Sequence, residues 1–254
     1  LCGAVHMGAS VFFGHLLFTA ACQNFLQRRS LEKAAEDLRH ANDESERLLL
    51  NILPRVIAER LKGSPDRIAD RFEDVSILFA DICGFTPLSE KLDADALVKL
   101  LGDIFVQFDE LTERHGLEKI KTIGDAYMVA GGIPSPDPDH LRSMAELALG
   151  MQQVVSKMEV PGGGRLQVRV GIHQGPVVAG VIGSSKFCYD VWGDTVNTAS
   201  RMESHAAKGR VQVTEAVRLG LADRYEFESR GSVEIKGKGL MDTYYLGRAP
   251  TRPY

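Results

Sequence analysis

A chain of 254 residues has room for one full-sized domain with its own core plus accessory segments, or for two small domains. A charged fraction of 25% and a hydrophobic fraction of 44% belong to an ordinary globular protein and exclude wholesale disorder. The net charge of -4 supplies no global basic field, so no nucleic acid is expected as a partner.

Cys2, Cys22, Cys83 and Cys188 form no CxxC pair and no Cys/His cluster, which favours free thiols over a disulfide framework or a zinc site. The chain begins at Leu1 rather than Met and reads as a fragment of something longer. From Leu1 to Gln27 there is no Asp, Glu, Lys or Arg, and Val11 to Cys22 is almost entirely apolar. A helix of that length could cross a hydrocarbon core of about 30 Å, so residues 1–27 are expected to be a transmembrane helix. A buried core helix is the competing reading. A secretory signal would carry positive charge ahead of the apolar run, whereas Arg28 and Arg29 follow it. By the positive-inside rule those arginines put the rest of the chain in the cytoplasm, at the cell membrane.

From Leu31 the sequence turns to alternating charge with sparse apolar positions at Leu31, Ala34, Leu38, Ala41, Ser45, Leu48 and Ile52. The alternating steps of three and four are a heptad seam, which needs a partner helix, and a parallel coiled coil of two copies would supply it. A solvated helix packed on its own domain is the alternative. Residues 28–66 are therefore expected as a helical coiled-coil linker, with Pro54 ending or kinking the helix and Gly63-Ser64-Pro65 breaking the next.

Residues 67–248 alternate short β-rich runs with amphipathic stretches, leaving residues 249–254 as a tail. Val75 to Ala80 is a continuous apolar run, a buried strand with Asp81 at its end. Asp95 to Arg114 has helical periodicity, and Gly124-Asp125 reads as a hairpin turn between two strands. A second helix is expected over His140 to Met158, with strands near Leu166 to His173 and Pro176 to Val181. The order is β-α-β-β-α-β, an α+β, ferredoxin-like arrangement with helices on one face of an antiparallel-containing sheet.

Two carboxylates stand out. Asp81 ends the central strand, and Asp125 sits in the hairpin that the topology would bring beside it. Adjacent carboxylates on a rigid sheet edge can hold two Mg2+ ions against a triphosphate, and Gly84 lets backbone N–H groups approach phosphate oxygens. Either Asp alone would fit an ordinary turn equally well. Farther on, Asp194-Thr195 reads as a helix start with Asp194 as N-cap, and Asn197 and Arg201 then share one face. Such an amide and guanidinium could orient a sugar and offset charge on a phosphate; a polar surface helix would look the same.

The motifs FADICGFT, KTIGDAYM, VWGDTVNTASRMES and IKGKG stand in the chain in that order. Together they make the sequence from about Leu48 to Leu246 similar to the catalytic domain of the class III nucleotide cyclases, and Leu50 to Leu61 resembles the transducer element ahead of that domain in membrane-bound members. The resemblance implies conversion of ATP to 3′,5′-cyclic AMP and pyrophosphate, assisted by two Mg2+ or Mn2+ ions. Asp81 and Asp125, with the Ile82 carbonyl, would be the metal ligands. Asn197 would position the ribose and Arg201 would stabilise the transition state. Phe85 and Thr86 would lie against the substrate, and Lys236 would hold the terminal phosphates, Lys238 being separated from it only by motif position. In enzymes of this kind one protomer supplies the metal carboxylates and the other the remaining groups, so a homodimer is implied.

The resemblance puts Lys121 and Asp190 at the base-reading positions, where guanylyl cyclases commonly have Glu and Cys. Adenine offers an acceptor at N1 and a donor at its amino group, matching a lysine that only donates and an aspartate that only accepts. Guanine presents O6 and N1–H in the opposite sense, a mismatch worth on the order of 10⁴ in selectivity. Cys188 lies two residues before Asp190, too early to be a guanine contact. The expectation is therefore a membrane-anchored adenylyl cyclase.

Overall fold

The computed structural model describes residues 2–63, 68–158, 165–183 and 186–248, with the side chains of residues 2–22 and of Thr86 outside that description. Two compact units meet in sequence between Ile52 and Leu53. The first is a single helix, α1 (Cys2–Leu50), which runs through Arg28 and Arg29 without a break. The expected transmembrane span over residues 1–27 is not supported. Among the described residues no helix is long and apolar enough to cross a membrane, and the side chains on which most of that expectation rests lie outside them. The expected coiled coil is not shown in this single chain, where Leu31, Leu38 and Leu48 of its seam are exposed along α1. The helix stops short of Pro54, whose ring disfavours helical geometry in the residue before it.

The second unit opens with α2 (Arg55–Gly63), where Pro54 starts the new helix by accepting from the N–H groups of Ile57 and Ala58 at 3.0 and 2.9 Å. The strands are β1 (Ala69–Ile82), β2 (Glu118–Ile123), β3 (Ala126–Gly131), β4 (Val168–Ile182), β5 (Cys188–Trp192), β6 (Val211–Thr214), β7 (Tyr225–Ile235) and β8 (Gly239–Arg248). They form one sheet in the order β2-β3-β1-β4-β6-β8-β7, with β5 paired to β4. Neighbours among the first four pair antiparallel, and with α4 (Ala94–Arg114) and α5 (His140–Lys157) these strands make the expected β-α-β-β-α-β core. The remaining helices are α3 (Phe85–Ser89), α6 (Asp194–His205) and α7 (Glu215–Leu221).

Two expectations are corrected. The separate strands at Leu166 to His173 and Pro176 to Val181 are one strand, β4, continuous through Pro176. Between the pairs Phe72↔Val177 and Val75↔Gly175, two β1 residues oppose Pro176 alone, a bulge that tolerates a residue with no N–H to give. Nor are the helices confined to one face. Leu78, Ala80 and Ile82 pack in the core with Ile104 and Phe108 of α4 and Met144 and Leu147 of α5, while α6 packs against β1 and β4 from the other side. Every residue from Val75 to Ala80 is buried, which is why that run reads as uninterrupted apolar sequence.

The β2–β3 hairpin is held onto α4 by Asp109, which pairs with Lys119 at 2.6 Å and accepts from the Tyr127 hydroxyl. On the opposite face, α6 lies directly on β4 at Gly171, where a Cβ would come within 1.9 Å of the Glu203 nitrogen. Since backbone cannot yield as a side chain tip does, Gly171→Ala should cost about 3 kcal/mol or more in a denaturant titration, whereas Gly102→Ala, in open space on α4, should not destabilise the chain.

Candidate active site

Asp81 is the last residue but one of β1, paired in register with Ala126 of β3 and Arg169 of β4. Asp125 precedes Ala126 in a two-residue turn whose first residue, Gly124, has φ 63°, a conformation natural to glycine. The structure therefore brings the two carboxylates together at one sheet edge. Burial pushes the Asp81 carboxyl above the usual carboxylate range, and the neighbouring Asp125 pushes it further, against the pull of Arg169. Ile82 is buried in the core, so only its backbone carbonyl is free for the role expected of it. Gly84 has φ 79° and caps α3, which Phe85 begins with a partly buried ring; the side chain of Thr86 lies outside the described residues.

Lys121 of β2 and Asp190 of β5 also meet. Their side chains form an ion pair at 2.5 Å, and the Val191 N–H donates to the other Asp190 oxygen at 2.9 Å. Lys121 follows a register shift in the hairpin, after which it faces Met128. The result is a donor and an acceptor side by side, still partly open to solvent.

Asn197 and Arg201 lie on α6 as their spacing requires, and both are exposed. Among the described residues no side-chain hydrogen bond or ion pair ties them to the acidic pair or to Lys121 and Asp190. Asp194 is not the N-cap. Gly193 takes that position with φ 142°, which an L side chain would strain to adopt, and Asp194 becomes the first helical residue. There its charge still complements the helix dipole, and its carboxylate pairs with Lys238. Lys236 and Lys238 are both exposed, and the ion pair with Asp194 is what sets Lys238 apart.

Sequence reasoning missed Arg169 and Glu203. Arg169 donates from Nε to Asp81 Oδ2 at 3.0 Å, and its Nη2 forms an ion pair with the same oxygen at 2.7 Å. Its Nε also lies 2.6 Å from Glu203 Oε1, yet that oxygen is buried without a hydrogen bond. The two observations agree once direction is considered, because the single Nε hydrogen points to Asp81. Burial raises the Glu203 carboxyl to about 7, opposed by Arg169. A lone arginine between Val168 and Val170 in a core strand was the available signal, since buried charges are paired.

Asp81 and Asp125 are hard oxygen donors side by side, although among the described residues no group of three or more His, Cys, Asp or Glu is gathered as a metal site.

The family description "Adenylate and Guanylate cyclase catalytic domain" matches residues 68–248, and the chain belongs to that family. It is 48% identical over 220 residues to a Mycobacterium tuberculosis protein named adenylate cyclase, a match covering 86% of this chain and 49% of the relative. The chain thus spans about half the length of the curated relatives it matches first. Among solved structures, the guanylate cyclase domain of RhGC from Catenaria anguillulae in complex with GTP is similar at TM-score 0.69 and 31% identity, covering 71% of this chain and all 100% of that one. The adenylyl cyclase CyaB from P. aeruginosa has TM-score 0.66 and 25% identity, covering 72% and 98%.

Beneath the start of α6, His173 Nδ1 lies 2.8 Å from the Thr214 hydroxyl oxygen. Burial, with Lys238 nearby, lowers this imidazole from 6.5 to about 4. The unfolded chain therefore takes up a proton near 6.5 that the folded chain refuses until about 4. The stabilisation is complete above the upper value and is lost as pH falls through that window, on the order of 3 kcal/mol in all. Unfolding free energies at neutral and acid pH should show this loss, and His173→Gln should flatten it.

Proposed function

We propose that this chain is the catalytic part of an adenylyl cyclase that converts ATP to 3′,5′-cyclic AMP and pyrophosphate. The observation that carries the choice of adenine is the Lys121–Asp190 ion pair, which presents one donor beside one acceptor. Lys121 donates to N1 of adenine and Asp190 accepts from the exocyclic amino group. The M. tuberculosis relative named adenylate cyclase supports the same substrate.

The ribose 3′-oxygen forms a bond to the α-phosphorus, and the bond from that phosphorus to the pyrophosphate oxygen breaks in line with it. When bound at Asp81 and Asp125, two Mg2+ or Mn2+ ions would supply positive charge against the triphosphate and lower the pKa of the attacking hydroxyl. Asn197 orients the ribose by hydrogen bonding. Arg201 offsets the charge that grows on the α-phosphate oxygens, Lys236 holds the terminal phosphates, and Phe85 and Thr86 border the bound nucleotide.

Asn197 and Arg201 are exposed and, among the described residues, make no side-chain hydrogen bond or ion pair with Asp81 or Asp125, which supports a site shared between two copies of the chain. A homodimer then has two complete sites and a monomer none. The exposed seam of α1 supports a parallel coiled coil joining the copies. The uncharged run of residues 1–27 supports a membrane anchor with the catalytic unit on the cytoplasmic side.

Purified full chain given ATP or GTP with Mn2+ should yield cyclic AMP in large preference to cyclic GMP, and Asp81→Ala should lower the rate by about a hundredfold or more. No cyclic nucleotide from a folded dimer would sink the reading. Mixed dimers of Asp81→Ala and Arg201→Ala chains should recover roughly a quarter of wild-type activity, half the dimers being mixed and each having one intact site. The Lys121→Glu, Asp190→Cys double variant should shift preference toward GTP, and an unchanged ATP:GTP ratio would show that the pair does not read the base.

A further inference from the structure

Arg169 and Glu203 have no part in the chemistry assigned above, yet they surround its first carboxylate. Arg169 stands across from Asp81 in the β1–β4 register, donates its Nε–H to Oδ2 and holds Nη2 in an ion pair with the same oxygen. That leaves the buried Glu203 Oε1 beside the same guanidinium, 2.6 Å from Nε and without a hydrogen bond. Glu203 follows Arg201 by two residues on α6, at the point where the helix lies against Gly171 with no space between.

We propose that Arg169 and Glu203 are positioning residues that tie the Asp81 carboxylate of one active site to α6, the helix that carries Asn197 and Arg201 to the other active site of the dimer. The proposal rests on the shared-site reading. In the structure Arg169 is divided between two carboxylates. A divalent cation drawn to Asp81 competes with Arg169 for Oδ2. The guanidinium then has Glu203 as its remaining buried acceptor, and turning Nε–H onto Oε1 completes a charge-assisted hydrogen bond that is now unmade. Because α6 is pressed directly on β4, this contact sets how the helix is seated. Arg201 of the same chain faces the opposite site, so a cation at one site prepares the other: a coupling between sites with a named element that both of them bias.

The test uses the full-chain homodimer and the single-site heterodimer of Asp81→Ala and Arg201→Ala chains. Both are titrated with Mg2+ at saturating 3′-deoxy-ATP, which lacks the attacking hydroxyl. The signal is the emission of Trp192, the chain's one tryptophan, next to Gly193 at the start of α6. The homodimer should give a Hill coefficient about half a unit above that of the heterodimer, which has the same ligands at its single intact site. Glu203→Gln and Arg169→Lys homodimers should fall to the heterodimer's slope while still binding Mg2+ in a calorimetric titration. A merely structural role would lower stability and leave the slopes apart. Equal slopes in wild-type homodimer and heterodimer overturn the proposal without reference to either variant, as does a difference that survives in both variants. A heterodimer that makes no cyclic AMP from ATP overturns the shared-site reading instead.

Discussion

The antiparallel pairing of β1 with β4 is the constraint on which the other features depend. Its register sets Ala80 against Val170 in the core, and one step on it sets Asp81 against Arg169. A slip of one residue would turn every one of those side chains to the opposite face, so apolar burial and the placement of the acidic pair are specified together. The same two strands receive α6 on the face away from α4 and α5. Gly171 makes that approach possible, because any side chain there would meet helix backbone.

Charge is concentrated where this framework ends. Asp81 and Glu203 share the Arg169 guanidinium with Asp125 close by, and burial in this partly desolvated setting raises the Asp81 and Glu203 carboxyls. Carboxyls held this way are costly for the protein alone. Lys121 and Asp190 are different in kind. They balance each other's charge and so can wait in place as a preformed donor and acceptor. Among the described residues Asn197 and Arg201 have no such partner, and they remain exposed on α6. The contrast between partnered groups and unpartnered ones divides the candidate site into a part the single chain assembles and a part it offers outward.

Much of the second unit was legible in advance because its local signals agree. The apolar run at Val75 to Ala80, the helical periodicity before Arg114 and the glycine of the Gly124-Asp125 turn each have one low-energy reading, and the ferredoxin-like order follows from them. Where signals conflicted, the tertiary structure prevailed. Pro176 reads as a break between strands, but a bulge against β1 absorbs it. Asp194 reads as a cap, but the neighbouring glycine can take a conformation that aspartate cannot, and it fills the position instead.

The sequence by itself determined the family, the order of the core elements and where Asp81, Asp125, Lys121, Asp190, Asn197 and Arg201 stand in its motifs, because those rest on residue type at fixed spacing along the chain. Only the tertiary structure decided that Arg169 and Glu203 join Asp81, that Lys238 rather than Lys236 holds Asp194, and that α6 covers the face opposite α4 and α5. Those pairings link residues 34 to 88 positions apart in the case of Arg169, and 44 apart for Lys238 and Asp194. No local periodicity records them, since such partners are chosen by strand register and by how closely a helix can approach a glycine.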